Sequence, residues 1–266
     1  MVNELKKLLP SVSINRALCI DIKNADWEMP NNIRPGRWNS DRWALSPSDV
    51  EIFRSHMDCW EKISNSGQMG IILEDDLLFS NDFGKVIEIL KNEKLTGIVR
   101  LDGVNLPLLI NKPTKIIENV TISKIDSIAA SAAAYSLDPT TAKNLLLKAK
   151  VERTVDDYLF DPATLSGGAK GHGLPIYQIE PIVTVQAQFG IYSDKSHKIP
   201  EFLKLTKRVD VKSRKSRSLS GPFLYRFRKE IIRIIYRYRL KGLKKNIIDN
   251  GGACRVPRLS KDISWK

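Results

Sequence analysis

Residues 70–79 read GIILEDDLLF, three acids set between two apolar runs. Gly70, Ile71, Ile72 and Leu73 have the pattern of a buried strand, and Leu77, Leu78 and Phe79 return to the core. Glu74, Asp75 and Asp76 therefore crowd the end of a strand, where α/β sheets place their ligands. Carboxylate oxygens are hard ligands suited to Mg²⁺ or Mn²⁺. A divalent ion there would relieve the repulsion, hold a diphosphate and stabilise it as a leaving group. The plainer reading is an acidic strand exit whose carboxylates serve as caps.

A second acidic pair, Asp156 and Asp157, sits in VDDYLF at 155–160. One could deprotonate an acceptor hydroxyl while the other binds metal or hydroxyl. The competing reading is helix-start acids favoured by the dipole, since Thr154 and Asp157 have capping-box spacing. His56 lies beside Phe53 and Trp60 on a helical face, where a partly buried histidine bonded to a backbone group is the simple expectation. The Gly-rich run SGGAKGHG at 166–173 lacks the Gly-Lys-Ser/Thr ending of a P-loop. It reads as a loop from which Lys170 and His172 could reach phosphate or acceptor. Trp38 and Trp43 could stack on a sugar or base, or pack in the core.

These groups need a scaffold, and the elements around them can be read in order. Residues 3–9 suit a short helix and 17–22 (ALCIDI) a strand, and 24–45 form a long irregular loop. Ser46 and Pro47 then open a helix, with Asp49 three residues past the cap. Val50, Phe53, Met57 and Trp60 repeat on one face of it. A strand at 70–73, a helix at 83–91, a strand and turn at 97–103 and short strands within 115–126 follow. Residues 127–137 suit a tightly packed strand. Asp138-Pro139 then starts a helix through Leu147. Strands and helices alternating at this spacing imply an α/β sheet with parallel components.

The 266-residue chain carries a net charge of +13, unevenly placed. Residues 201–246 hold 16 Lys and Arg against 3 Asp and Glu, whereas residues 1–200 hold 23 against 25. The main region is thus nearly neutral, which argues against a nucleic-acid protein or a nuclease. Cys19, Cys59 and Cys254 form no metal motif or disulfide framework, which favours a reducing cytosol. No long apolar run suggests a membrane span, and the first residues lack the features of a signal peptide.

Residues 201–221 read as a basic linker, and 222–246 as an amphipathic helix. Phe223, Phe227, Ile231, Ile234, Ile235 and Tyr238 fall on one side at 100° per residue; Arg226, Lys229, Arg233 and Arg237 fall on the other. That face suits an anionic membrane surface. The alternative is that its apolar side packs on the main domain.

Taken together, LSPSDVEIFRSHMDCWEKI (45–63), GIILEDDLLFSNDF (70–83), IVRLDG (98–103), AAYSLDPTTAKNLL (133–146) and VDDYLF (155–160) resemble the family 25 glycosyltransferases of bacterial lipooligosaccharide biosynthesis. The resemblance spans roughly residues 15–195. It implies a GT-A-like, Rossmann-type mixed sheet flanked by helices, and an inverting, metal-dependent transfer of a hexose. The donor would be a nucleotide sugar such as UDP-galactose, and the acceptor a lipooligosaccharide (LPS) glycan. Asp75 and Asp76 match the family's acidic motif and would bind Mn²⁺ or Mg²⁺ and donor phosphate, with Glu74 in the donor site. Ser55 and His56 match its Ser-His pair, in donor-site support. Asp156 and Asp157 match the later acidic pair, as base and acceptor ligand.

Two departures accompany the match. Asp49 stands where a glutamate is usual. The family's opening strand, with its Ile-Asn-Leu ending, has no good counterpart in Ile14-Asn15-Arg16, so that strand is expected to be missing. The expected organisation is a transferase domain at 1–200, a linker at 201–221 and a basic appendage at 222–266. The expected place of action is the cytoplasm, peripheral to the bacterial inner membrane. The alternative function is an N-terminally truncated, non-catalytic remnant acting as a membrane-surface scaffold.

Overall fold

A computed structural model describes residues 2–15, 17, 47–151, 153–161, 171–194 and 223–266. All but the first residue of the expected strand at 17–22, the loop at 24–45, Ser46, Lys170, Trp38, Trp43 and the linker lie outside those residues.

The described residues form the mixed α/β architecture that the alternation implies. Helix α1 (Val2–Leu8) comes first, then α2 (Pro47–Ser66), β1 (Gly70–Leu73), β2 (Leu77–Phe79), α3 (Phe83–Glu93), β3 (Ile98–Arg100), β4 (Leu108–Ile110), β5 (Lys115–Ile117), β6 (Val120–Lys124) and β7 (Ala134–Leu137). Helices α4 (Pro139–Lys148) and α5 (Val155–Phe160) precede β8 (Ile176–Glu180), β9 (Thr184–Gln186) and β10 (Gly190–Tyr192). Helix α6 (Phe223–Asp249), β11 (Ala253–Arg255) and β12 (Ile263–Trp265) end the chain. Six strands make the central sheet in the order β1-β7-β3-β8-β6-β5. Its β3–β8 pair is parallel, and its other pairs are antiparallel.

Strand alternation gives the sheet two apolar faces. Ile98, Tyr135, Leu137 and Ile176 face one cluster with Val50, Phe53, Trp60 and Ile63 of α2, Leu145 of α4 and Leu159 and Phe160 of α5. Val99, Ala134 and Ile179 face the other, with Leu5 of α1 and Phe83, Val86, Ile87 and Leu90 of α3. The α3 residues recur at helical spacing, which is why that helix forms and docks there. Burying an aromatic side chain such as Phe53 or Phe83 contributes about 2–3 kcal/mol. Asp138 caps α4 as its sequence suggests, its Oδ1 accepting from Thr141 N at 3.0 Å. Gly97, at φ +131°, lets β3 begin beside Pro175; a Cβ there would lie 2.7 Å from Pro175 O.

Four expectations need correction. β1 is the edge of the central sheet and only Ile72 is fully buried, so residues 70–73 are half-covered rather than enclosed. Only 134–137 of the small-residue run form a strand; just before it, Ala130 O accepts from the Arg100 side chain and Ala133 N donates to the Asp102 carboxylate. Thr154 is the N-cap of α5 by position but makes no side-chain cap bond, so the capping-box spacing forms no box. His172 is buried with both ring nitrogens occupied: its Nε2 donates to Leu159 O at 2.8 Å and its Nδ1 accepts from Leu174 N at 2.9 Å.

The last residues are built into the body. β11 pairs with β4 and β12 with β10. Glu180, at the end of β8 and fully buried, accepts from Arg255 through both carboxylate oxygens and from Arg258 N at 2.7 Å. Asp262 accepts from Asn81 N at 2.8 Å, and Ser260 Oγ donates to Asp82 Oδ2 at 2.8 Å. Residues 253–266 therefore pack against the sheet, although the sequence groups them with the appendage. Helix α6 touches the body near its end through Ile247, while Phe223, Phe227, Ile234 and Tyr238 stay exposed. The packed alternative for its apolar face does not hold among the described residues.

Two stability measurements follow. Glu180→Gln removes the anion that Arg255 and the 258 amide share, and a loss of about 2 kcal/mol in urea unfolding is expected. Burial lowers His172 to about 4, whereas the unfolded chain protonates near 6.5. Its contribution is full above about pH 6.5 and is lost as pH falls toward 4. His172→Gln should therefore remove roughly 2 kcal/mol of the stability difference between pH 7 and pH 5. An unchanged pH profile in that variant contradicts the neutral, buried histidine.

Candidate active site

The C-terminal ends of β1 and β3 lie on either side of the start of β7, with Leu73 opposite Ala134 and Arg100 opposite Tyr135. The chain turns there at 74–76 and enters β2. Asp75 is exposed at the tip, and Glu74 and Asp76 are half-buried on its two sides. The Glu74 amide bonds Ala133 O at 2.7 Å, which fixes the turn to β7.

The repulsion within the turn is met by a neutral group. β9 pairs with β2, placing Gln186 opposite Leu77. The Gln186 Nε2 group donates to Glu74 Oε2 at 3.0 Å and lies 3.2 and 3.1 Å from Asp76 Oδ1 and Oδ2. The Ala187 amide donates to Asp76 O at 2.8 Å. One carboxamide thus bridges two of the three acids.

Behind the turn is a buried layer that sequence reading left without a role. Arg100 and Asp102 alternate on β3 and its extension, toward the α2–α5 side, and both are essentially inaccessible. They lie 3.5 Å apart. Arg100 Nη2 also donates to Ala130 O at 2.6 Å, and its guanidinium sits 4.7 Å above the Phe160 ring. Ser131 Oγ donates to Asp102 Oδ2 at 2.5 Å and lies 3.4 Å from Gln186 Oε1. Ser131 has φ +75°, an unusual conformation for a residue with a side chain, of the kind that concentrates at functional sites. A continuous polar chain therefore runs Arg100–Asp102–Ser131–Gln186–Glu74/Asp76. Burial pushes the Asp102 carboxyl up against the pull of Arg100, and it lowers Arg100. The available signal was a charged residue of each sign, two apart, inside the apolar run GIVRLDG.

His56 joins this layer through Tyr135. Its ring stacks on Tyr135 at 5.8 Å and 6°, and Nδ1 is 2.7 Å from the Tyr135 hydroxyl. Trp60 Nε1 donates to the same hydroxyl at 2.8 Å. Burial lowers His56 to about 4, so it is neutral, and its Nδ1 shares one hydrogen bond with the Tyr135 hydroxyl. The expected backbone partner is replaced by a side chain. Ser55 sits beside it on α2, but its Oγ donates to Ile52 O at 2.8 Å within the helix. The structure does not bring Ser55 to the acidic turn.

Asp156 and Asp157 occupy the first turn of α5 and are half-buried. The charge of Asp156 acts on both His56 and Arg100, which puts Asp156 on the same side of the sheet as the buried layer. Asp157 O accepts from Arg153 at 3.3 Å. Hence the accessible acids of 74–76 and 156–157 are the ones whose spacing is legible in the sequence. Asp102, Arg100, Ser131 and Gln186 are the support behind them.

The donor set at 74–76 is carboxylate oxygen, which fits Mg²⁺ or Mn²⁺. Among the described residues no three His, Cys, Asp or Glu side chains are grouped to hold an ion alone. A cation there would be shared between one or two of these carboxylates and a ligand's phosphate oxygens, the usual manner for Mg²⁺.

No curated protein matches the chain. The profile of glycosyltransferase family 25, described as LPS biosynthesis protein, matches residues 1–160. That span runs through the acidic turn, the Arg100–Asp102 pair, Tyr135 and the α5 acids. The chain belongs to glycosyltransferase family 25, and so to the transferases of lipopolysaccharide biosynthesis.

Proposed function

We propose that this protein is an inverting hexosyltransferase that moves galactose from UDP-galactose to a lipooligosaccharide glycan, with Mn²⁺ or Mg²⁺ at the acidic turn. The observation that carries this reading is the polar chain from Arg100 to Glu74 and Asp76, which orients two carboxylates at a strand end inside the span that the family profile matches. Asp75 and Asp76 would hold the ion, which when bound neutralises charge on the departing diphosphate. Glu74, on the other side of Gln186, orients the donor. Asp156 takes the proton from the attacking acceptor hydroxyl, and Asp157 positions that acceptor. The oxygen then bonds the anomeric carbon as the bond to the diphosphate breaks on the opposite face, so the configuration inverts. Neutral His56 and Tyr135 hold the wall between these two groups of acids.

Helix α6 supports a membrane-surface setting for this reaction. Its apolar side chains project into solvent, and Arg237, Arg239 and Lys241 lie exposed beside them. No described helix is long and apolar enough to cross a membrane. A basic helix with aromatic and aliphatic side chains on one side binds in the interface of an anionic leaflet. That would bring the site to a lipid-anchored acceptor on the cytoplasmic side of the inner membrane.

Transfer of labelled galactose to lipooligosaccharide should fall at least about 100-fold in Asp76→Asn and in Gln186→Leu. Calorimetry should show UDP binding that requires Mn²⁺ and is lost in the Asp75→Asn, Asp76→Asn double variant. Full transfer by that double variant would sink the assignment. For the helix, full-length protein should sediment with anionic vesicles, and Phe227→Asp with Ile234→Asp should abolish this. Point substitutions are the proper test, because removing the helix would also remove β11 and β12. Equal sedimentation of the variant and the parent rules out the membrane role.

A further inference from the structure

The C-terminal segment forms a groove of about 450 Å³ with the loop that follows β3. Its walls include Asn105, Pro257, Arg258, Leu259, Ser264 and Trp265, and no acid lines it. The groove is attached to the active site on both sides. Asn105 lies three residues after Asp102. Gly103, between them, is close against Trp265: a Cβ at Gly103 would lie 3.7 Å from Trp265 Cη2. On the other side, Lys266 donates through Nζ to Ala187 O, next to Gln186, and its amide donates to Phe189 O at 2.9 Å. The β10–β12 pair holds Trp265 opposite Gly190, just beyond β9.

We propose that this groove binds the saccharide acceptor, an oligosaccharide carrying phosphate or carboxylate groups. This rests on the transferase reading above and adds a place for the acceptor outside residues 1–160. The chemistry of the walls suits a sugar more than a nucleotide diphosphate or a peptide strand. A half-exposed indole offers a flat apolar face to the C–H side of a pyranose. The Asn105 amide and Ser264 hydroxyl offer both donors and acceptors to sugar hydroxyls. Arg258 has a 64% exposed side chain, held at one end where Nε lies 3.9 Å from Glu180, and it supplies the positive charge for an anionic substituent. A Cβ at Gly103 would displace the end of Ile182, 2.5 Å away at Cδ1, and make ordinary contact with the Trp265 ring.

The test uses the full chain and the delipidated core oligosaccharide of a bacterial lipopolysaccharide. Saturation-transfer NMR reads binding without requiring turnover. Binding is expected for the parent, weakened about tenfold in Trp265→Ala and in Asn105→Ala, and largely kept in Trp265→Phe. The same substitutions should raise the acceptor KM about tenfold while leaving kcat, the donor KM and metal-dependent UDP binding within about twofold. Asn105 lies on an exposed loop, so its variant reports on the groove even where Trp265→Ala disturbs the β10–β12 pair. Unaltered oligosaccharide binding in Asn105→Ala and Trp265→Phe, together with Trp265→Ala, overturns the groove assignment. Trp265-dependent oligosaccharide binding in a protein that shows no UDP binding or transfer upholds the groove and refutes the transferase reading.

Discussion

Glu74 and Asp76 share the carboxamide of Gln186, and much of the fold is arranged so that this amide stays between them. Gln186 ends β9, which is held by pairing with β2, the strand that leaves the acidic turn. The oxygen of the same carboxamide lies near Ser131 and Gln188, and Ser131 is fixed in turn by Asp102 and Arg100. A buried ion pair alone is a weak source of stability, because desolvation offsets most of the attraction. Its value here is geometric. Arg100 is pinned by Asp102, Ala130 O and the Phe160 ring, so the chain of hydrogen bonds has one arrangement and the turn has a fixed back wall.

That wall is completed from the far end of the sequence. Residues 253–266 lie beyond the span that defines the family, yet they brace three places around the site. Asp262 and Ser260 hold residues 80–82, immediately after β2. Arg255 and Arg258 close on Glu180, just ahead of β9. Lys266 is tied to Ala187, next to Gln186. Helix α6 feeds directly into β11, so the amphipathic surface and the bracing segment are mechanically continuous. Charge composition singles out the basic tail but is silent about the brace, because its contacts are non-local and use one or two residues at a time.

What could be read from the sequence follows from how each signal is encoded. The alternation of strands and helices, the Asp138 cap and the α3 periodicity are local patterns, and each is realised in the structure. The 74–76 acids are legible because three charges between apolar runs are costly to explain away. Arg100 and Asp102 carry the same kind of signal in weaker form, two opposite charges in an apolar strand, and they lie on one face because strand side chains alternate. Gln186 has no such mark: in IVTVQAQF a glutamine is ordinary strand-edge composition, and only the β2–β9 pairing brings it to the acids. His172 misleads for the opposite reason. A histidine in a Gly-rich loop suggests ligand contact, yet both ring nitrogens are used to secure the chain entering β8.

The choice of an amide at position 186 has a chemical consequence. A lysine there would also satisfy Glu74 and Asp76, and its full charge would make the turn more stable in isolation. It would also add a positive charge beside the acids. An amide contributes hydrogen bonds but adds no net charge to the turn. Arg100, at the other end of the same polar chain, is directed to Asp102, inside the protein and out of contact with solvent. The buried pair thus absorbs the positive charge that the fold needs at this point. The carboxylates in front are held near the surface by hydrogen bonds from a neutral amide.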